Sequence, residues 1–415
     1  MEHDRFLTAY ERPRGKIDVV LDTDAYNEID DQFALAYLLT FGERCRIRGI
    51  TAAPFLNERA SSPADGMEKS YREIGKLLSL AGREDLLPAV YRGSERYLPD
   101  ENTPVLSPAA EFLCREAAAH TPEDPLYIAA IGAITNVASA LLLSPEMRER
   151  VIVVWLGGHA PHIPRAAAEF NLQQDIAGAR VLFSCGVPVV QLPCFGVADR
   201  FATSRRELEY WLGGKNPLCD YLVENTVREA ERYAAGKPWT RVIWDVTAVA
   251  WLFDEKKRFL RDTVAPAPVP AYDLTYAPEP GRFPICRVES VDRDALFCDL
   301  FARLTGAGER ERPDGDDPRI ARIRAMEERF SRAGAALRAY ETARGALLAE
   351  QEEIRTLEAY YEGPLWREDL AADEAGELPP SLRRGVLSED GIYNLLEENG
   401  AVLASLEDEK QNPNG

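Results

Sequence analysis

Asp22, Asp24, Glu28, Asp30 and Asp31 place five carboxylates within ten consecutive positions, between the apolar run Ile17–Leu21 and the amphipathic stretch Phe33–Leu39. Like charges this close disfavour joint ionisation, so the group requires either a cation or bound protons. An all-oxygen donor set of this kind suits hard divalent cations such as Ca²⁺ and Mg²⁺. Asp22 and Asp24 alternate with Thr23, which puts both side chains on one face of an extended segment. Asp30 and Asp31 fall at a helix start, where the helix dipole favours anions. A metal held between the strand end and the helix start would draw ligands from both. A helix cap with a solvated turn accounts for one or two acids, not for five behind an apolar strand.

The elements that must position these acids read as a βαβα alternation. Ile17–Leu21, Arg46–Ala52, Leu126–Ala130, Val151–Leu156 and Val187–Leu192 are apolar runs, each followed by Gly, Pro or polar residues. Asp30–Leu39 and Asp65–Ala81 carry helical periodicity, and residues 199–260 read as mainly helical. This rhythm predicts an α/β fold, a mostly parallel open sheet flanked by helices. In such sheets ligands bind in the crevice beyond the carboxyl ends of the strands, where the acidic segment falls.

The chain has 415 residues, more than one average core accommodates, so two domains are expected. Gly306–Pro318 is short of apolar residues and rich in turn formers, which predicts a linker over 307–318 between a domain at 1–306 and an all-α domain at 319–415. Beyond the linker, Met326, Ala333, Tyr340, Leu347, Ile354 and Tyr361 recur every seven residues, with Ile323, Phe330 and Leu337 offset by three. Such a seam suits helix packing, within a small bundle or against a second copy or partner, so a homo-oligomer is entertained. Gly345 could mark a kink or turn there, and Ser388–Leu406 reads as a further helix. The net charge of −20 and the lack of a basic patch exclude a nucleic-acid partner. No apolar run reaches the length of a membrane span, and the N-terminal residues lack a signal-peptide core, so a cytoplasmic location is expected. The seven cysteines are scattered, with no metal-binding spacing, and are expected to be reduced thiols.

Four segments together resemble the inosine/uridine-preferring nucleoside hydrolase family over residues 15 to about 304. The first is Asp22-Thr23-Asp24 followed by Asp30-Asp31-Gln32-Phe33-Ala34-Leu35. The family has three residues between Asp-x-Asp and the Asp-Asp pair; this chain has five, Ala25 to Ile29. The second is Ile131-Gly132-Ala133-Ile134-Thr135-Asn136, similar to the family's strand–Gly-Pro-Leu-Thr-Asn–helix segment. The third is Gly157-Gly158 followed by Ala168-Glu169-Phe170-Asn171, and the fourth is Trp244-Asp245 before an apolar helix. Taken alone, Thr135-Asn136 reads as helix capping.

The resemblance implies a calcium ion held by Asp24, Asp31, Asp245 and the carbonyl of Ile131, with Asp24 as general base on a water. It implies a ribonucleoside as the small-molecule substrate, with Asp30, Asn57, Glu169 and Asn171 on the ribose. The family's leaving-group histidine is Trp244 here; purine-preferring members similarly carry Trp, which stacks on the base and favours its departure, so purine salvage is implied. The family's Asn for the 5′-hydroxyl has no counterpart, Ile163 standing near its place, with His159 and His162 nearby. Asp22 is left as a support. Residues 319–408 are similar to a small bacterial helical domain of unknown function, through Tyr360-Tyr361, Trp366-Arg367-Glu368-Asp369 and Arg384 to Asp390. Two rival readings remain at this point. A strand ending in Asp-x-Asp also opens the haloacid-dehalogenase-type phosphatases, where Asp22 would be the nucleophile of a metal-dependent phosphohydrolase. A non-catalytic nucleoside- or sugar-binding protein is the other.

Overall fold

The computed structural model describes residues 2–277 and 282–306, scattered positions between 322 and 341, and residues 343–379 and 381–411. The chain divides into two units, Met1–Asp316 and Asp317–Gly415. The linker expected at 307–318 lies outside the described residues.

Unit one is built on eight strands: β1 (Ile17–Thr23), β2 (Cys45–Ala52), β3 (Val90–Arg92), β4 (Leu126–Ala130), β5 (Val151–Leu156), β6 (Val189–Leu192), β7 (Leu260–Pro266) and β8 (Pro284–Val291). Their order is β3-β2-β1-β4-β5-β6-β8-β7. Every neighbouring pair is parallel except β8 with β7, which is antiparallel. All seven residues of β1 are buried, as are all of β4 and β5. Helices on both faces of a parallel sheet impose this, and it explains the uninterrupted apolar runs. The chain leaves β1 for β2 and β3 on one side, then returns to β4 on the other side of β1. That reversal places the topological switch point, and hence the ligand crevice, between the carboxyl ends of β1 and β4.

Helix α1 (Asp30–Leu39) follows β1 after a short loop. It is not amphipathic as expected: every residue from Asp30 to Leu38 is buried. A second apolar helix, α4 (Val246–Phe253), packs beside it and is buried throughout. Two helices of this kind, each with an aspartate at its N-terminal end, are what bring Asp31 and Asp245 together. Between them in sequence lie α2 (Thr135–Leu143), after β4, and the short α3 (Phe170–Gln174). The stretch expected to be mainly helical, 199–260, also holds a two-stranded antiparallel ribbon, Ala202–Ser204 with Thr240–Val242. β3, β7 and β8 were not anticipated; the first has only three residues, too few for a periodic signal.

Unit two, among its described residues, has helices Gln351–Glu362, Pro364–Glu374 and Glu389–Gln411. Trp366, Leu387 and Ile392 are buried there, and Trp366 Nε1 donates to the Val386 carbonyl at 2.9 Å. Ser388 Oγ accepts from the Gly391 N–H at 3.3 Å, a cap for the last helix. The heptad stripe is only partly covered within this unit: Met326, Leu337 and Tyr340 are exposed, while Leu347, Ile354 and Tyr361 are half-buried. Ile323 and Phe330 lie outside the described residues, and the chain is helical through Gly345. Among the described residues no helix is long and apolar enough to cross a membrane. The seven cysteines are all free thiols.

Close packing at the switch point depends on glycine. A methyl group added at Gly93 would sit 1.9 Å from the Ala52 carbonyl oxygen and 2.6 Å from Asn136 Nδ2. Gly93→Ala is therefore expected to destabilise unit one by about 1–3 kcal/mol, the usual cost of overpacking. A urea midpoint equal to that of the wild type would show that the backbone yields there.

Candidate active site

β1 runs out at Thr23 with its last acids already enclosed. Asp22 is fully buried and accepts from Thr51 Oγ1 at 2.6 Å and from Asn136 Nδ2 at 2.8 Å. Burial raises its pKa to about 6 against the pull of those two donors. Asn136 also donates to the Ala52 carbonyl and accepts the Ser94 N–H, and Thr135 Oγ1 donates to Asp175 at 2.5 Å. Thr135-Asn136 therefore cross-links β1, β2 and the 93–98 and 175 regions instead of capping α2, whose first turn has no side-chain cap. Enclosed in this way, Asp22 is a support and has no open face from which to attack a phosphate.

Asp24 follows directly. It is fully buried, and neither carboxylate oxygen has a hydrogen-bond partner. Gly132, just after β4, gives it room: a Cβ there would lie 3.1 Å from Asp24 Oδ1 and 2.9 Å from the Ala53 Cβ. Burial and then the charges of Asp31 and Asp30 hold the Asp24 carboxyl well above the usual range. Asp31 accepts from Thr23 Oγ1 at 2.5 Å and lies within hydrogen-bond reach of Asp24 and Asp245. Burial chiefly raises Asp31 to about 7 and Asp30 to about 8, with Glu28 adding to both. Asp245, before α4, is pushed up by burial and then by Asp30.

Carboxylate oxygens of Asp30, Asp31 and Asp245 all lie within 4.8 Å of one another. This trio differs from the expected set by taking in Asp30, foreseen as a sugar contact, and leaving Asp24 beside it. Two unit charges about 4 Å apart repel by roughly 4 kcal/mol at an effective dielectric of about 20, so several such pairs demand protons or a cation. The donors fit calcium: they are all oxygen, buried and convergent, and Asp24 and Asp30 hold oxygens that no protein donor satisfies.

The acids open on a cleft of about 210 Å³. Asp30, Asp31, Asp245 and Ile131 are part of its lining. Asn171 Nδ2 donates to the Ile131 carbonyl at 3.2 Å and to that of Leu156 at 3.1 Å. Glu169 caps α3, accepting the N–H groups of Asn171 and Leu172, and also that of Gly158 at 2.9 Å. These bonds lock Glu169 and Asn171 in place against the cleft. Trp244 also lines the cleft and packs edge-on against Phe195, with ring centroids 5.5 Å apart.

Asn57 is not among the lining residues. Its Nδ2 donates at 2.7 Å to Asn27 Oδ1, and Asn27 is the one that reaches the cleft. Asn27 and Glu28 both come from the five-residue loop between Asp24 and Asp30. That loop is pinned along its length. Gln32 Nε2 donates to the Ala25 carbonyl, Tyr26 N–H donates to Ser70 Oγ, and Arg241 pairs with Glu28. Sequence reasoning also gave no role to Phe170, Cys194 and Phe195 of the lining, and named His159 only as lying near the place of the absent 5′-hydroxyl contact. Cys194 and Phe195 follow β6, and their place at the carboxyl end of a parallel strand was the available signal.

A folded-state pKa above the unfolded value of about 3.9 means that the folded protein holds protons more tightly than the unfolded chain. For Asp22, Asp30 and Asp31 the stabilisation is thus present at low pH and lost as pH rises toward about 6, 8 and 7 respectively. In EDTA, Tm is expected to fall between pH 5 and pH 8 by this contribution, and Asp30→Asn should flatten the slope. Added Ca²⁺ should raise Tm most at the upper end, where the ligands are ionised. Thermal scans across that range check both; a calcium effect that vanishes as pH rises would contradict the assignment.

The sequence comparisons agree with this geometry. A family model described as inosine-uridine preferring nucleoside hydrolase matches residues 19–277, and one described as a domain of unknown function (DUF4298) matches residues 323–407. The pyrimidine-specific ribonucleoside hydrolase RihA of Citrobacter koseri is 29% identical over 197 residues, 42% of this chain and 62% of that one. Its counterpart from Escherichia coli O1:K1 is 27% identical over 229 residues, 48% of this chain and 72% of that one. The match thus spans less than two thirds of the Citrobacter protein. Among solved structures, the purine-preferring ribonucleoside hydrolase from Gardnerella vaginalis aligns with a TM-score of 0.54 at 19% identity, over 70% of this chain and 99% of that one. An inosine-guanosine nucleoside hydrolase aligns at 0.55 and 17%, over 69% and 98%. These two likenesses concern the fold. The family match covers more than half of the chain, from inside β1 to beyond β7, and the chain belongs to the inosine-uridine preferring nucleoside hydrolase family.

Proposed function

We propose that unit one hydrolyses the N-glycosidic bond of ribonucleosides to ribose and free base, with a calcium ion as cofactor. The observation that carries this reading is the convergence of buried, partly unsatisfied carboxylates at the β1–β4 switch point, in a cleft that Glu169, Asn171, Phe195 and Trp244 also line. Asp31 and Asp245 would hold the ion, with Asp24, Asp30 and the Ile131 carbonyl completing the oxygen shell. When bound, such an ion acidifies water and grips vicinal hydroxyls.

Asp24 takes the proton from the water that attacks the anomeric carbon. Its oxygens have no protein donor to compete for them, which leaves them open to a water. Asp30 and Glu169 accept from ribose hydroxyls, while Asn171 is held beside them by the Ile131 and Leu156 carbonyls. Bond breaking leaves positive charge on the sugar, and the fixed carboxylates stabilise it without reorganisation. Trp244 offers its face to the base. The indole supports a purine preference. The RihA relatives are named as pyrimidine-specific, which supports a pyrimidine preference as the second reading.

A reducing-sugar assay on inosine, guanosine, adenosine, uridine and cytidine separates these. Ribose release is expected, lost in EDTA and restored by Ca²⁺, with the purines ahead in kcat/KM. Turnover confined to uridine and cytidine would transfer the case to the second reading, and no ribose from any of the five would sink the hydrolase. Asp24→Asn should lower kcat by about 10²–10⁴-fold while the circular dichroism stays that of the wild type.

A further inference from the structure

The departing base gains electrons as the glycosidic bond breaks, so it needs a hydrogen-bond donor. Most polar side chains in the cleft are acceptors: Glu28, Asp30, Asp31, Glu169 and Asp245. The Asn171 amide nitrogen already serves two carbonyls. The remaining side-chain donors there are the Asn27 amide, the Cys194 thiol, the Trp244 indole and the imidazole of His159. His159 Nδ1 accepts the Phe195 N–H at 3.2 Å. An imidazole nitrogen that accepts carries no proton, so in the neutral ring the proton sits on Nε2. Among the described residues no protein atom accepts from Nε2.

The ring is also well placed and well held. Its centroid lies 4.9 Å from that of Phe195, which in turn packs on Trp244, so His159, Phe195 and Trp244 form one continuous wall. The two segments that carry the wall are zipped together. Gly157 N–H donates to the Leu192 carbonyl, Cys194 N–H to that of Gly158 at 2.9 Å, and Ala160 N–H to that of Phe195 at 3.0 Å. His159 N–H donates to the Ala166 carbonyl at 2.7 Å. Burial favours the neutral ring, against the charge of Asp199.

We propose that His159 contacts the leaving base, donating a hydrogen bond from Nε2 to a ring nitrogen or carbonyl oxygen of the base as the bond to the sugar breaks. This rests on the nucleoside hydrolase reading above. The water oxygen bonds to the anomeric carbon, and the glycosidic electron pair leaves on the base nitrogen. Asp24 takes one water proton, and that proton count is closed by protonation of the base from solvent. His159 keeps its proton: a neutral imidazole is too weak an acid to give it up, but it stabilises the developing charge as a fixed donor.

The test compares inosine with 4-nitrophenyl β-D-ribofuranoside, whose leaving group departs without help, and with 5′-deoxyinosine. His159→Ala is expected to lower kcat on inosine and on 5′-deoxyinosine by about 10²-fold or more, the usual cost of one preorganised donor. The nitrophenyl riboside should be hydrolysed as by the wild type, and His159→Gln should recover part of the loss through its amide N–H. An equal loss on inosine and the nitrophenyl riboside would overturn the proposal, because it would place His159 on the ribose. So would a loss on inosine absent from 5′-deoxyinosine, which would make it a 5′-hydroxyl contact, and so would unchanged turnover throughout. Failure of the wild type on all three substrates would instead overturn the hydrolase reading on which this rests.

Discussion

Packing several buried carboxylates against one cleft is the constraint around which unit one is organised. Their mutual repulsion is unfavourable at any plausible interior dielectric, and burial adds a solvation cost to each charge. Only a dense, sealed scaffold can hold them there. The uninterrupted apolar composition of β1, β4 and β5 seals the sheet, and the all-round burial of α1 and α4 seals the layer above it. Small residues do the rest. Gly132 and Ala53 leave the space that Asp24 occupies, and Gly93 lets Asn136 reach across to Asp22 and the Ala52 carbonyl. Such an arrangement is favourable only with a shared cation or shared protons, which ties the fold of this region to its chemistry.

The loop Ala25–Ile29 is the chain's own variation, and it is built as a rigid part. A longer loop would ordinarily cost entropy and loosen the acids on either side of it. Here each anchor comes from a different place in the sequence: Ser70 from the helix after β2, Asn57 from the loop before that helix, and Arg241 from the ribbon strand before Asp245. The longer loop thereby reaches the cleft, which Asn27 and Glu28 line. Asn57, two residues from Arg59, which itself reaches the Tyr26 carbonyl and Glu229, belongs to the support behind that loop.

Unit two follows a different economy. Among its described residues few are buried, Trp366, Leu387 and Ile392 being so, and its helices are joined by polar links such as the paired amides of Gln351 and Asn399. Helices of this length are marginal alone and take their stability from packing. The heptad stripe supplies some of that packing through Leu347, Ile354 and Tyr361, and Tyr361 sits edge-on to Trp366 at 4.9 Å. Within this unit its described earlier members stay exposed.

The amino-acid sequence by itself determined the local elements and the chemistry-bearing pairs. Short apolar runs bounded by turn residues read as strands buried on both faces, and the bounds of β4 and β5 follow from them directly. Asp24, Asp30 and Asp31 were legible because five acids behind one buried strand exceed what a helix cap accounts for, and Asp245 through the resemblance of Trp244-Asp245 to the family's motif. The sequence did not disclose which side chains reach the cleft from afar. Asn57 looked like a sugar contact and stands behind Asn27; Thr135-Asn136 looked like a cap and proves to be a cross-link. His159 and Phe195 are separated by 36 positions, and only the pairing of β5 with β6 brings their loops into register. A sequence states what a residue can do within its own element. Which atoms it meets is decided by sheet order and strand register, and these are long-range outcomes of how the whole core closes.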